Sequence, residues 1–312
     1  MPFHHLPNEI IILIAREVED LPDLNALLRT NRHLITLLKE ELIEAVFRTH
    51  NARRARKFLF NAAGRADKRT CENLICQRGI LDLAHFYTGA VLNDAISDAN
   101  ITALRTLLGC PGVSVNELSF SGSSPLFYAV NRRNIQAVQA LLQMPDLNIN
   151  FHSMVYRSAL GFAVAENYED LVHLLLTDPR IDVNCRGYHG RSVLHTAASK
   201  GLESIVRALL SHMDIKVNTQ TGSGDTPLHF AAAEGFSAVV RLLIADERVD
   251  VNRENIRRRS PLQEAAYRRQ QNVMSILLSD ERVSTRFGRR DRHSPYSTRS
   301  LPFHHPTLME ER

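Results

Sequence analysis

The stretch GDTPLHFAAAEG, residues 224–235, has the pattern of one complete short helix. Thr226 can accept hydrogen bonds from the first free amides of a helix. Pro227 suits the first helical position, because an amide there would have no partner inside the helix, and Gly235 can adopt the left-handed conformation that ends a helix. The pattern predicts a helix of about nine residues, ~14 Å long. Such a helix is not stable alone in water, so another part of the chain must pack against it.

The same pattern recurs with a step of 34 residues, as between Leu126 and Leu160. An alanine stands three residues after each repeated leucine, and an apolar pair and then an asparagine follow in the same register. The markers are the leucines Leu92, Leu126, Leu160, Leu194, Leu228 and Leu262; the alanines Ala95, Ala129, Ala163, Ala197, Ala231 and Ala265; the pairs Leu107–Leu108, Leu141–Leu142, Leu175–Leu176, Leu209–Leu210, Leu243–Ile244 and Leu277–Leu278; and Asn116, Asn150, Asn184, Asn218 and Asn252. Internal repetition at this period indicates a solenoid.

Each repeat is predicted to form a helix, a turn, a second helix and an extended tip. The leucine and the alanine lie on the buried face of the first helix, where the small alanine lets two helices approach closely. The second helix, for example ESIVRALL at 203–210, carries an apolar stripe at helical spacing. No single unit can bury both of its helices, so neighbouring units must stack into one continuous core.

Composition and charge exclude several classes of protein. The 312 residues are 44% apolar and 23% charged, which is typical of one or two globular domains. The net charge of +4 comes partly from arginines after position 285, and we therefore expect no nucleic-acid partner. The four cysteines lack the spacing of a zinc site or a disulfide framework, which favours a reducing compartment, the cytoplasm or the nucleus. The apolar run at 10–15 is too short to span a membrane, so we expect a soluble intracellular protein.

The repeated unit resembles the ankyrin repeat in TPLHFAAAEG and its copies. The resemblance covers about Leu92 to Asp280, with a degenerate unit before it, FLFNAAGRADKRTCENLI at 58–75. It implies an all-α fold, an ankyrin-repeat α-solenoid, with six repeats over 91–283 and a linker and degenerate first repeat over 51–90. The family's histidine is present at His195 and His229, whereas the copies depart from it at Phe127, Gly161 and Gln263; Tyr156 and Arg258 replace the glycine of the tip.

A second pattern precedes the repeats, in LPNEIIILIAREVEDLPDLNALLRTNRHLITLLKEELIEAVF at 6–47. Three apolar stripes separated by a break at 21–23 predict three helices, whose small core is marginal by itself. The stretch resembles an F-box in its opening Leu6–Pro7, its Glu9–Ile10 pair, its LxxLL and its R-x-x-x-x-L run that ends at Leu34. The wording LPDLNALLRTNRHL is similar to F-box modules placed ahead of ankyrin repeats in filamentous fungi. We therefore expect a three-helix F-box-like module at 4–50.

The F-box resemblance implies a partner and a function. F-box modules dock on the Skp-type adaptor of a cullin–RING ubiquitin ligase, so the chain would be an adaptor whose ankyrin surface binds a protein substrate. The implied adaptor-binding residues are Leu6, Pro7, Ile10, Ile14, Leu24, Leu27, Leu28 and Leu34. The alternative is a scaffold or inhibitor outside the ubiquitin pathway, in which residues 1–50 only cap the apolar end of the solenoid.

No group of residues has the pattern of a catalytic or metal site. Cys185, His189 and His195 are close in sequence, but no acidic residue accompanies them and structural roles are favoured. Cys71 and Cys76 have no companion pair for a metal, and no phosphate-binding GxxxxGK occurs. We predict that the chain is not an enzyme and that it holds no cofactor and no metal.

The tips are the predicted contact points for a substrate, because loops on a rigid scaffold carry variable contacts. Aromatic residues and arginines are common anchors of interfaces. The predicted substrate-binding residues are Phe120, Tyr156, Tyr188, His189, Arg257 and Arg258. For the run Arg257–Arg259 a solvated charged tip is favoured, with a nuclear signal or a contact with an acidic partner left open. Residues 284–312 are predicted to be a disordered basic tail, and we expect a monomer outside the ligase complex.

Overall fold

The computed structural model describes residues 59–77, 88–119, 122–152, 158–187 and 190–285. Regular structure within these residues is helical, apart from one isolated antiparallel β-bridge between Arg186 and Ser192. The predicted all-α class is thus confirmed for the repeats. The predicted F-box-like module at 4–50 lies outside the described residues.

Six helix pairs follow one another after a shorter helical segment. Residues 59–64 are helical, and α1 (Lys68–Glu72) continues into a π-helical turn at Asn73–Gln77. The pairs are α2 (Thr88–Ser97) and α3 (Ile101–Leu108), α4 (Pro125–Asn131) and α5 (Ile135–Leu142), α6 (Ala159–Ala165) and α7 (Glu169–Leu176), α8 (Val193–Ser199) and α9 (Glu203–Leu210), α10 (Pro227–Glu234) and α11 (Ser237–Ala245), and α12 (Pro261–Tyr267) and α13 (Gln271–Leu278).

The chain divides into two compact units. The first contains the described residues up to Ala197, together with 204–215, and the second contains 198–203 and the described residues from Lys216 onward. In the first unit α4 packs between α2 and α6, and α5 packs between α3 and α7. In the second unit α10 packs against α12 and α11 packs against α13. First helices therefore pack on first helices and second helices on second helices within each unit.

The repeated leucines and alanines form the core, as the sequence predicts. The six repeated leucines are all buried, and the six repeated alanines have no solvent exposure. The alanine is small enough to let the first helices of neighbouring repeats approach closely. The buried face of the first helix is thus the one that the sequence pattern indicates.

Capping side chains begin the helices. Ser124 and Ser158 each occupy an N-cap, and their hydroxyls accept from the amides of Phe127 and Gly161 at 3.2 and 3.1 Å. In GDTPLHFAAAEG, Thr226 is the N-cap, Pro227 is the first helical residue and Gly235 is the C-cap with φ of 81°. The observed helix α10 has eight residues, close to the predicted length.

Each tip asparagine ties its own repeat to the next one. The side-chain amide of Asn150 donates to the carbonyl of Arg180 at 2.8 Å, while its oxygen accepts from the amide of Asp182 at 2.7 Å. Asn218 makes the same two bonds, to the Arg248 carbonyl and from the Asp250 amide, at 2.7 and 2.8 Å. This pair of bonds spans 30 and 32 residues and needs both an acceptor and a donor on one short side chain, which explains the repeated asparagine.

An Asp-x-Arg pair reinforces the same junction. Arg180 forms an ion pair with Asp178 at 2.7 Å, and its guanidinium also donates to the carbonyls of Leu142 and Met144, at the end of the preceding repeat's second helix, at 2.9 Å each. Arg282 pairs with Asp280 at 2.7 Å and donates to the carbonyl of Ile244. The hydrogen bond from Arg180 lowers the pKa of Asp178 below its ordinary value, since it stabilises the carboxylate.

The segment at 59–77 shares several features with the repeats that follow. Leu59, Ala62, Leu74 and Ile75 are buried, and Ala66 has a left-handed backbone with φ of 58° in the turn between the two helical parts. Ala99 has the same conformation 33 residues later, with φ of 51°. The assignment of this segment to a degenerate first repeat stays a prediction.

Candidate functional site

Most of the predicted site residues lie outside the described residues. These are the adaptor-binding residues Leu6, Pro7, Ile10, Ile14, Leu24, Leu27, Leu28 and Leu34, and the substrate-binding residues Phe120, Tyr156, Tyr188 and His189. Arg257 and Arg258 are described, and both are exposed at the tip that precedes α12.

The described tips share one turn geometry. In the tip at 221–225, the amide of Thr221 donates to the carbonyl of Asp225 at 3.0 Å, and the amide of Gly224 donates to the carbonyl of Thr221 at 2.9 Å. In the tip at 255–259, the amides of Asn255 and Arg258 make the two equivalent bonds, to Arg259 and Asn255, at 2.9 and 2.8 Å. The fourth residue of the turn has positive φ in both tips, 77° at Gly224 and 54° at Arg258.

The side chain of Asn255 holds the tip at 255–259 in place. This side chain is buried, its oxygen accepts from the amides of Arg257 and Arg259 at 2.9 and 3.1 Å, and its amide donates to the Asp225 carboxylate at 2.7 Å. The amide of Ile256 donates to the carbonyl of Ser223 at 3.1 Å. The tip is therefore held both by its own asparagine and by the preceding tip.

The three consecutive arginines of this tip have different surroundings. Arg259 is partly buried, with its guanidinium 3.9 Å from the ring centre of Tyr267 and 3.3 Å from the Glu264 carboxylate. The side chains of Arg257 and Arg258 form no hydrogen bond or ion pair with any residue that the structure describes. Ile256, next to them, is 71% exposed. The loop thus presents to solvent an isoleucine and two positive charges that no described residue compensates.

A second group of aromatic residues lies on the first unit, where Phe127 is buried and Phe162 and Tyr168 are half-buried; no sequence motif above indicates it. The rings of Phe127 and Phe162 make an edge-to-face contact with centres 5.1 Å apart, and Phe162 makes another with Tyr168 at 6.4 Å. Arg133 lies over the Tyr168 ring at 5.3 Å and pairs with Asp170 at 3.2 Å. Phe127 stands at the family's histidine position, so this departure is explained by its packing against Phe162. The signal in the sequence was the presence of Phe127 and Phe162 in the first helices of neighbouring repeats, at positions offset by one residue from the repeat step.

The two histidines at the repeat's histidine position, His195 and His229, cap helices. Nδ1 of His229 accepts from the Thr226 amide at 3.1 Å and lies 2.8 Å from the Thr226 hydroxyl, while Nε2 donates to the Arg259 carbonyl at 2.9 Å. Burial lowers the pKa of His229 below its ordinary 6.5, so the neutral ring is favoured. His195 has the same relation to Ser192, with the amide 3.1 Å from Nδ1. Gln263 occupies the equivalent position in α12 and has the same capping role, since its side-chain oxygen accepts from the Ser260 amide at 2.9 Å.

Among the described residues, the neighbours of Cys185 do not favour a nucleophile. The sulfur of Cys185 accepts a hydrogen bond from the Ser158 hydroxyl at 3.1 Å. Burial raises the pKa of the Cys185 thiol to about 11, so the thiolate that a nucleophile requires is disfavoured. His195 is bonded to Ser192 through Nδ1. The predicted structural roles of Cys185 and His195 agree with these contacts.

The described residues carry neither a metal-binding cluster nor a membrane-spanning helix. No group of three or more His, Cys, Asp or Glu side chains there could hold a metal ion. No helix in the described part of the chain has the length and apolar character needed to cross a bilayer.

Comparisons with known proteins agree with this architecture. Three copies of the sequence model for ankyrin repeats match residues 92–187, 160–255 and 194–287. A search of the curated proteins finds no match.

Solved structures with a similar fold include three ankyrin proteins. The ankyrin repeat domain of Bcl-3, described as a member of the IkappaB protein family, is 25% identical with a TM-score of 0.59, over 70% of this chain and 97% of that one. The ankyrin repeat protein EF0377 is 23% identical with a TM-score of 0.56, over 60% and 96%. An ankyrin repeat domain from Acinetobacter baumannii is 23% identical with a TM-score of 0.55, over 60% and 95%. The fold is thus an all-helical ankyrin-repeat solenoid, and because the family's sequence model matches more than half of its residues, the chain belongs to the ankyrin repeat family.

Proposed function

We propose that this chain is a protein-binding adaptor that acts as the substrate-recognition subunit of a cullin–RING (SCF-type) ubiquitin ligase. The observation that carries the proposal is the order of two sequence features, an F-box-like pattern at 6–47 followed by an ankyrin array. Ankyrin repeats bind protein partners in general, so the array supplies a surface for the substrate. The F-box-like residues supply the contact with the ligase, in the cytoplasm or the nucleus.

The contact with the Skp-type adaptor has a simple physical basis. A three-helix module of about fifty residues cannot bury all of its apolar side chains by itself. Leucines and isoleucines left at its surface gain free energy when a partner's helices cover them. Leu6 and Pro7 open the F-box-like pattern, so they are the residues whose change should weaken this contact most directly.

The contact with substrate uses a different part of the chain. Rigid tips and half-exposed aromatic side chains lose little conformational entropy on binding, which favours affinity. The tip at 255–259 and the group around Phe162 have these properties. Ubiquitin would be transferred by other subunits, and the chain itself performs no chemical step.

Co-purification with the Skp-type adaptor tests the proposal. The full chain should retain the adaptor, whereas Leu6→Asp/Pro7→Ala should lose it, because a charge is placed where an apolar surface is to be covered. The matched control is Arg257→Gln/Arg258→Gly, which changes the last tip and should leave adaptor binding intact. Absence of association for the unmodified chain, or equal retention by Leu6→Asp/Pro7→Ala, would show that the ligase role is wrong.

Deletion of residues 1–50 separates the proposal from the capping alternative. If these residues dock on the ligase, the shortened chain loses the adaptor while the repeats still bind their partner. If they only cap the solenoid, deletion lowers the free energy of unfolding and removes no partner. Urea denaturation and co-purification of the same shortened chain distinguish the two results.

A further inference from the structure

We propose that the tip at 255–259 is a preformed docking site for an acidic peptide segment of a partner protein. This inference rests on the protein-binding role proposed above and adds the chemistry of the partner. It concerns Ile256, Arg257 and Arg258, which face solvent in the second unit.

The first step is the contrast between two neighbouring tips with the same turn. The tip at 221–225 carries the small residues Gly222, Ser223 and Gly224 at its apex, whereas the tip at 255–259 carries Ile256, Arg257 and Arg258 at the matching positions. The backbone geometry is shared, so the turn itself does not require large side chains. The shape of the turn therefore does not explain why the second tip carries large and charged side chains.

The second step is the backbone at Arg258. Its φ of 54° is in the left-handed region, where the described tips at Gly122, Gly190 and Gly224 all have glycine. A side chain at this position is unfavourable compared with glycine. Local backbone strain of this kind is concentrated at functional positions. Glycine at position 258 would thus make the protein more stable than arginine does.

The third step is the state of the charges. Arg259 is compensated by Glu264 at 3.3 Å and stacked on Tyr267, and Arg253 donates to the Gln220 side chain at 3.2 Å. Arg257 and Arg258 have no such partner among the described residues. A guanidinium can bind a carboxylate through two parallel hydrogen bonds, and such bonds are stronger than neutral ones. Two guanidinium groups on one turn, neither paired with a described residue, therefore favour an anionic ligand.

The fourth step concerns the class of ligand. Ile256 is exposed beside the two arginines and offers an apolar contact, which suits a peptide that carries an apolar side chain among its carboxylates. A nucleic acid would instead be favoured by a broad row of cations that follows its phosphates. The negatively charged Glu254 in this loop does not fit such a row. Because the buried Asn255 holds the loop in place, little ordering is needed when the peptide binds.

Selection from a displayed library of short random peptides, with the full chain as bait, tests the inference. We expect the enriched peptides to carry clustered Asp or Glu around an apolar residue. The affinity of the most enriched peptide should then fall by about tenfold or more in Arg257→Gln/Arg258→Gly. It should also fall when the peptide's acidic residues are replaced by their amides, and when salt is raised.

The control variant is Arg207→Gln/Arg241→Gln, which removes the same charge from two exposed helical arginines outside the tip. It should bind the peptide as the unmodified chain does. Arg258→Gly alone should weaken binding while it raises the urea midpoint of unfolding, since glycine relieves the left-handed backbone. A purely structural arginine would give the opposite pair of results, intact binding and lower stability.

Four results would overturn the inference. Enriched peptides without acidic bias, or equal affinity in Arg257→Gln/Arg258→Gly, would leave the protein-binding role intact and remove the acidic partner. Equally strong binding of a short single-stranded oligonucleotide, lost in the same variant, would show a general polyanion site instead. A selection that enriches no peptide would contradict peptide binding by the repeats as well.

Discussion

Single residues with left-handed backbone set the geometry between the two helices of each repeat. These residues recur every 34 positions with φ between 51° and 81°: Ala99, Arg133, Asn167, Gly201, Gly235 and Arg269. Glycine is favoured where a ring is close, since a Cβ at Gly201 would come within 2.6 Å of the Phe236 side chain. Ala99 is exposed and adopts the same conformation at a free-energy cost.

Replacement of Ala99 by glycine should stabilise the protein. Glycine populates positive φ without the steric penalty of a Cβ, so Ala99→Gly is expected to raise the free energy of unfolding by about 0.5–1 kcal/mol. Ala103→Gly is the control, because Ala103 lies buried inside α3, where glycine should cost about 1 kcal/mol or more. Urea denaturation of both variants measures the difference. A loss of stability in Ala99→Gly would show that the side chain itself contributes there.

His229 joins two tips through one ring and is sensitive to substitution. His229→Ala removes the acceptor of the Thr226 amide and the donor to the Arg259 carbonyl, so we expect a loss of about 2–3 kcal/mol. His229→Gln should lose less than half of that, because Gln263 already accepts from an N-cap amide in α12. Equal losses in the two variants would mean that burial of the ring, and not its capping bond, is what stabilises α10.

The pH dependence of His229 has a definite sign. In the folded state burial lowers the pKa of His229 below 6.5, although the hydrogen bond to the Arg259 carbonyl and the charges of Asp225, Glu264 and Asp250 oppose the shift. As pH falls through 6.5 the unfolded chain binds the proton first, so the stabilisation from this residue is present above that pH and is lost below it. The stability difference between the unmodified chain and His229→Gln should therefore narrow between pH 7 and pH 5. A widening difference would contradict the direction of the pKa shift.

At the scale of elements, the asparagine bridges determine how one repeat follows the next. Asn218→Ala removes the bonds to the Arg248 carbonyl and from the Asp250 amide. Because the site is partly exposed, water replaces some of the lost bonding, and we expect a loss of about 1–2 kcal/mol. Asn272→Ala, at an exposed helical position of α13, should change stability by about 0.5 kcal/mol or less. Chemical denaturation measures both losses of stability, and equal losses in the two variants would contradict this role of the asparagine bridge.

At the scale of the whole molecule, the sequence predicted those features that follow from periodic burial. The leucine at the start of each first helix and the alanine one turn later were predictable, because buried positions on a helix recur at fixed spacing. Ala99 and Arg133 were not recognised as left-handed, since neither residue type signals that conformation. The network around Asn255 was also missed. Its bond to the Asp225 carboxylate joins segments 30 residues apart, and no local pattern reveals such a pairing.

Loss of one core leucine tests whether the repeats share a core. Leu160 is fully buried in α6, which packs against α4 and α7, so Leu160→Ala should cost about 2–5 kcal/mol through lost transfer free energy and the remaining cavity. Leu278→Ala, at a position that is 40% exposed, should cost about 1 kcal/mol or less. Because each repeat contacts mainly its neighbours, amide hydrogen exchange should accelerate more in α4 and α7 than in α12 and α13. Equal midpoints for the two variants in urea, or acceleration spread evenly over all helices, would contradict nearest-neighbour packing around the repeated leucine.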